Sequence, residues 1–312
     1  MNQLLIDIAQ FARTAGREVV AVLAWLWSAV DGLLNPLLSP LLAWINPLCN
    51  AVAGAVYAVL SPLPPWLGLT ILSAVLGVAM LPLFRRLSNQ TAIGRAKDDI
   101  KANLLALKLF KDELRVMFRA QLRILWAILR LQRHVLGPVL VLMPPMLLVL
   151  AQMGLRYQWQ PLRPGERTNV TVAMKQGFEK ECQNMTLEAS DGVMIEAGPV
   201  PGDGAAVARI RVDAAGRHAV TARVGERSET KEVSVNEGFT RVSPVRPGHD
   251  WTSRLLYPAE PPLDAASPIA SITVDMPPRD SYITGSNWWI AFVFAVSMIA
   301  ALVFAPVFRV RF

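Results

Sequence analysis

The sequence predicts an α-helical integral membrane protein, with three core transmembrane helices, a cytoplasmic helical segment and an extracytoplasmic all-β domain. Three observations lead there. Hydrophobic residues make up 53% of the 312-residue chain, above the roughly 45–50% of ordinary soluble domains. Three stretches, 66–84, 137–155 and 288–308, contain no charged residue. After the second of them, the spacing of apolar residues changes from helical to alternating.

At about 1.5 Å per residue each charge-free stretch reaches roughly 28–32 Å, enough to cross a hydrocarbon core. Their flanks agree on direction. The first opens with Pro64-Pro65-Trp66 and closes on Arg85-Arg86; the second follows Arg130, Arg133 and His134 and ends at Arg156-Tyr157-Gln158-Trp159; the third begins at Asn287-Trp288-Trp289 and ends near Arg309 and Arg311. Aromatic ends lie outside and basic ends in the cytoplasm. The expected parts are interfacial amphipathic or apolar helices over 1–63, a first core span over 64–86, a basic cytoplasmic segment over 87–136, a second span over 137–156, the β domain over 157–284, and a third span with a basic tail over 285–312.

Charge supports this order. The net charge is +7, yet residues 85–134 hold 12 Lys/Arg against 4 Asp/Glu, whereas 156–286 hold 15 basic and 17 acidic residues. A basic loop between two spans is explained by the cytoplasmic bias of Lys and Arg, so DNA is not an expected partner; the lipid bilayer is.

Residues 1–63 carry prolines at 36, 40, 47 and 62. They read as short helices lying in the interface, with one additional span as the alternative, which would put the N-terminus in the cytoplasm. Residues 88–135 contain no proline and are helical in pattern, with Arg115, Arg119 and Arg123 on one face. Lys111-Asp112-Glu113 marks a turn between two coiled-coil-like helices, or the segment is one bent helix. Over 160–280 the strand candidates are 169–174, 193–197, 207–212, 218–224, 231–235 and 271–275, an immunoglobulin-like β-sandwich by spacing.

No catalytic constellation emerges, and an enzyme is not expected. His134, His218 and His249 lie in different regions, Cys49 and Cys182 are too differently placed to pair, and no metal-ligand spacing or cofactor motif exists. Within the spans the polar residues are uncharged. Thr70, Ser73 and Gly77 share one face of the first span, Gln152 sits in the second and Ser297 in the third. They are candidates for lining a groove, with close helix packing as the other reading. The lack of intramembrane charge argues against a pump or coupled transporter.

The order of parts resembles the core of the YidC family of membrane-protein insertases. Leu81-Pro82-Leu83-Phe84-Arg85-Arg86 is similar to the end of that family's first core span, and Leu136-Gly137-Pro138 with Leu142-Met143-Pro144-Pro145-Met146 resembles the start of its second. The resemblance covers about 64–156 and 285–312, with the β domain as an elaborated outer loop. It implies an insertase or membrane chaperone in a bacterial inner membrane, working without a nucleotide cofactor through a cytoplasm-facing groove. Its implied partners are nascent or unfolded membrane proteins, and a ribosome or translocon met by the basic residues Arg85, Arg86, Arg115, Arg119 and Arg123. No arginine precedes Arg85 in the first core span, so such a groove is charged only at its mouth. The alternative is a non-catalytic envelope protein whose β domain is a binding module.

Overall fold

In a computed structural model, residues 2–109, 113–236, 238–280 and 288–310 are described; side chains are described from residue 31 onward in the first helix. The chain divides into two compact units. One comprises Met1–Gly54 with Trp159–Pro277, the other Ala55–Gln158 with Pro278–Phe312.

The first unit holds the β domain. Strands β1 (Arg167–Met174), β2 (Met185–Ala189), β3 (Val193–Pro201), β4 (Ala205–Val212), β5 (Gly216–Val224), β6 (Arg227–Val235), β7 (Val245–Arg246) and β8 (Ile269–Val274) form two antiparallel sheets. Their orders are β3-β4-β1-β8-β7 and β2-β5-β6. All six strand candidates are strands. Alternation explains them: Ala206, Ala208, Ile210 and Val212 of β4 are buried and Arg209 is exposed. The core between the sheets joins Val170, Val172 and Ile210 to Val220, Val233 and Val235. At the hairpin 213–216 the Gly216 backbone has φ 137°, which a side chain resists. His218 closes that hairpin, with its ring nitrogens 2.7 Å from the Asp191 carbonyl and 2.8 Å from that of Ala214. The leading and trailing chains of the domain meet where the Gln160 N–H donates to the Pro277 carbonyl at 2.9 Å.

Residues 1–63 differ from expectation. Instead of several short helices there is one, α1 (Asn2–Leu60), continuous through Pro36, Pro40 and Pro47. The three prolines fall at i, i+4 and i+11, one exposed face, so the carbonyls they leave unpaired are gathered on one side. The adjoining face, about a quarter turn away, is fixed to the β domain's segment around α5 (Trp251–Leu256). Asn46 Nδ2 donates to the Arg254 carbonyl at 2.9 Å and Asn50 Nδ2 to that of Pro258 at 2.8 Å. The Trp251 N–H donates to Asn35 Oδ1 at 3.1 Å, and Arg254 Nη1 to the Ser39 carbonyl at 2.8 Å.

The second unit is helical: the last residues of α1, then α2 (Pro65–Leu87), α3 (Gln90–Leu109), α4 (Leu114–Tyr157) and α6 (Trp289–Phe308). Pro65 starts α2 at the position where a missing N–H costs nothing. Helices α3 and α4 pack together as a hairpin, burying Ile93, Gly94 and Ala96 of one and Ala120 and Ala127 of the other. Residues 110–112, where Lys111 and Asp112 of the expected turn fall, lie outside the described residues, as do Asn287 and Arg311 of the flanks. Among the described residues four helical segments are long and apolar enough to cross a membrane: Asp31–Leu60, Pro65–Leu87, Met117–Tyr157 and Trp289–Phe308. That is one more than the three core spans.

Candidate functional site

The helical unit contains an apolar crevice of about 410 Å³ between α2, α4 and α6. Met80 and Phe84 line it from α2, Met143 and Met146 from α4, Phe294 and Ala301 from α6. The lining is almost without polar surface, and three of its twelve residues, Met80, Met143 and Met146, are methionines, unbranched thioethers that fit irregular apolar partners.

A track on α4 leads to the crevice. Phe118, Leu122, Leu125, Leu129 and Leu136 are exposed and share one face, interrupted by exposed Gln132, and the same face continues to Met143, Leu147 and Leu150 in the crevice wall. Ala120 and Ala127 lie on the opposite face, against α3, so the hairpin leaves the track uncovered. Arg115, Arg119 and Arg123 are exposed along one border. The helical segment Met117–Tyr157 has 41 residues, about 61 Å, twice the roughly 30 Å of a hydrocarbon core. Its charge-free part is 135–155, so the half that carries Arg119, Arg123, Arg130 and Arg133 stands outside any bilayer the helix crosses.

The polar groove candidates are placed differently. Thr70 Oγ1 donates to the Trp66 carbonyl at 2.8 Å, Ser73 Oγ to that of Leu69 at 2.6 Å, and Ser297 Oγ to that of Phe294 at 3.0 Å. Each hydroxyl is thus satisfied by its own helix. Gly77 and Ser297 are brought together: a Cβ on Gly77 would lie 2.8 Å from Ser297 Cα and overlap its carbonyl. Gln152 is buried. Of the five, only Gly77 lines the crevice.

Arg85 Nη1 donates to the Phe308 carbonyl at 3.0 Å, so it ties α2 to the last turn of α6, where a cation also suits the helix dipole. Arg86 is exposed. At the other end of the spans, the Arg156 guanidinium carbon sits 3.9 Å from the centroid of the Tyr57 ring, and the Tyr57 and Tyr157 rings are 6.1 Å apart. This cation–π cluster pins the end of α1 to the end of α4. Nothing in the sequence pairs Tyr57 with Arg156, which stand in separate helices 99 positions apart.

The β domain has a separate depression of about 460 Å³, lined by Arg217, His218, Glu232, Arg246 and Glu260 among others. Its charges neutralise one another: Arg217 pairs with Glu232 at 3.5 Å, Arg246 with Glu229 at 3.1 Å, and buried Lys231 with Glu260 at 2.5 Å. Burial lowers the Lys231 pKa, against the opposing effect of Glu260. Ser243 Oγ also reaches Glu260, at 2.5 Å, so the serine and lysine are held by the same carboxylate. Among the described residues no group of three His, Cys, Asp or Glu is placed to hold a metal, and Cys49 and Cys182 are free thiols. No protein-family model matches this chain, and no curated protein matches it.

Proposed function

We propose that this protein is a membrane-protein insertase or membrane chaperone of the YidC type, in a bacterial inner membrane, with the α3–α4 hairpin in the cytoplasm. The observation that carries the reading is the apolar track of α4, which runs from the basic hairpin into the crevice between α2, α4 and α6. A client helix arriving from the cytoplasm meets arginines first, then an uncovered apolar face, then a methionine-lined space at membrane depth. Covering one Leu- or Phe-sized side chain contributes about 1.5–3 kcal/mol, and association costs roughly 4–15 kcal/mol. Five such side chains on the exposed half of the track suit transient holding of an apolar helix, not tight binding. The two facing sheets support reading the β domain as an immunoglobulin-like sandwich, and the aromatic and basic flanks of the spans support setting it on the other side of the membrane.

The test is site-specific photocrosslinking. Probes at Leu129 and Met143 are expected to capture nascent membrane chains during synthesis. Capture of lipid alone at both positions sinks the proposal.

A further inference from the structure

The helix α1 reverses the usual arrangement of an amphipathic helix. Every exposed residue over 32–59 is Gly, Ala, Pro, Leu, Val or Trp, and Trp44 is 83% exposed. The polar residues Asn35, Ser39, Asn46 and Asn50 are all turned to the other face, where they bind the β domain. Water selects the opposite: apolar face inward, polar face outward. Residues 32–84 contain no charged side chain, so the stripe of Leu33, Leu37, Leu41, Trp44, Leu48 and Val52 lacks the polar rim that borders a protein-binding patch. The stripe continues through Val56 and Val59 to the four residues 61–64 that lead into α2.

Length and apolarity alone make Asp31–Leu60 a candidate span. Its docked face argues against crossing. The contacts from Asn35 to Asn50 occupy the middle of that segment, where they engage Arg254 and the carbonyls around it. An arginine at the centre of a bilayer costs at least about 2.5–3.5 kcal/mol, and a non-helical backbone at that depth adds to it.

We infer that α1 lies in the plane of the membrane surface and seats the β domain on it: its polar face holds the protein and its 33–59 stripe is immersed in lipid. The occupant of the stripe is the bilayer, because the stripe is uncharged on both borders and its end is joined by four residues to a helix long and apolar enough to enter that bilayer. The inference is independent of what the crevice binds.

The test uses the full chain in vesicles of phosphatidylethanolamine and phosphatidylglycerol. Cys49 is replaced by alanine, and buried Cys182 is kept. Single nitroxide-labelled cysteines are placed at Leu37, Leu41, Leu48 and Val52, and their depth is read by power saturation with oxygen and a water-soluble nickel reagent. The expected result is lipid exposure at all four, at one shallow depth of about 5–10 Å. A depth that changes steadily by about 1.5 Å per residue through the midplane means a span and overturns the inference. Water-like accessibility at all four overturns it too, as does dipolar broadening from a second copy. Circular dichroism and unreacted Cys182 verify that each labelled chain is folded.

Discussion

The guanidinium of Arg254 donates to the main-chain oxygen of Ser39 at 2.8 Å, across 215 positions of sequence. Arg254 is buried, and its own carbonyl accepts from Asn46. It therefore binds α1 in both directions. Arg254→Met is expected to remove a charge-assisted hydrogen bond of about 1.5–3 kcal/mol and to loosen α1 from the β domain. Half-buried Cys49, on the same helix, reports this: its reaction with a maleimide should accelerate severalfold. An unchanged rate would mean that the asparagines alone hold the helix.

Acid should have a similar effect through Asp250. This residue caps α5, accepting from the Ser253 N–H at 2.9 Å and the Thr252 hydroxyl at 2.8 Å. Burial pushes its pKa up, but the hydrogen bonds from Ser253 and Thr252 outweigh that and leave it below the ordinary value. A depressed carboxyl pKa adds stability that is complete above the unfolded value, about pH 4, and is lost as pH falls through the folded value. Thermal stability of the β domain should fall below about pH 4, and Asp250→Asn should flatten that part of the profile. An identical pH profile in the variant counts against the assignment.

Gly77 and Gly137 form a matched pair of tests. A methyl group on Gly77 meets the Ser297 backbone, whereas one on Gly137 meets nothing within 4 Å. Gly77→Ala is expected to force α2 from α6 and cost about 1–3 kcal/mol. Gly137→Ala is expected to gain roughly 0.5–1 kcal/mol, because it removes a glycine from a helix interior. Thermal unfolding in detergent separates them; equal shifts would contradict the close approach.

The track is open to a functional test. Leu125→Asp with Leu129→Asp alters exposed positions opposite the α3 interface, so unfolding temperature should stay within a degree or two of the parent's. Client crosslinking at Met143 should drop about tenfold or more, since losing one leucine's burial is worth about 1.5–3 kcal/mol. Undiminished crosslinking would show that clients reach the crevice without using the track.

Buried Lys231 should be intolerant of simple loss. It donates to the Glu232 carbonyl at 2.7 Å and the Ser243 carbonyl at 2.6 Å as well as to Glu260. Lys231→Ala leaves Glu260 buried without its cation and is expected to cost about 3–5 kcal/mol. Lys231→Met combined with Glu260→Gln should recover part of that loss in urea unfolding. If both variants lose the same stability, the ion pair is not what couples the two residues.

What sequence reasoning could reach depended on whether the cause was local. Ala208, Ile210 and Val212 alternate with Arg209 and Arg211, so β4 could be read without a partner. β2 and β7 were not recognised: the first is a five-residue strand directly after a 3-10 turn, and the second is two residues long. Ser73 and Ser297 fitted groove lining and close helix packing equally, because a serine in a helix can satisfy its hydroxyl on the preceding turn, and both do. Asn35, Ser39, Asn46 and Asn50 had a visible helical spacing. Their meaning was hidden because their partners lie more than 200 positions away. The prolines between them argued for breaks that docking overrides.

The bond between Gln160 and Pro277 has a consequence for inheritance. Partners in an antiparallel pair stand about 5 Å apart, so the two ends of the β domain present a gap that a few residues can bridge. A module with joined ends can be gained or lost in one recombination event while the reading frame on either side keeps its spacing. Relatives of this protein that share the helices but carry a different domain at this position, or none, are what such a junction would leave behind, and a chain with 161–276 replaced by a short glycine-serine bridge is the laboratory counterpart.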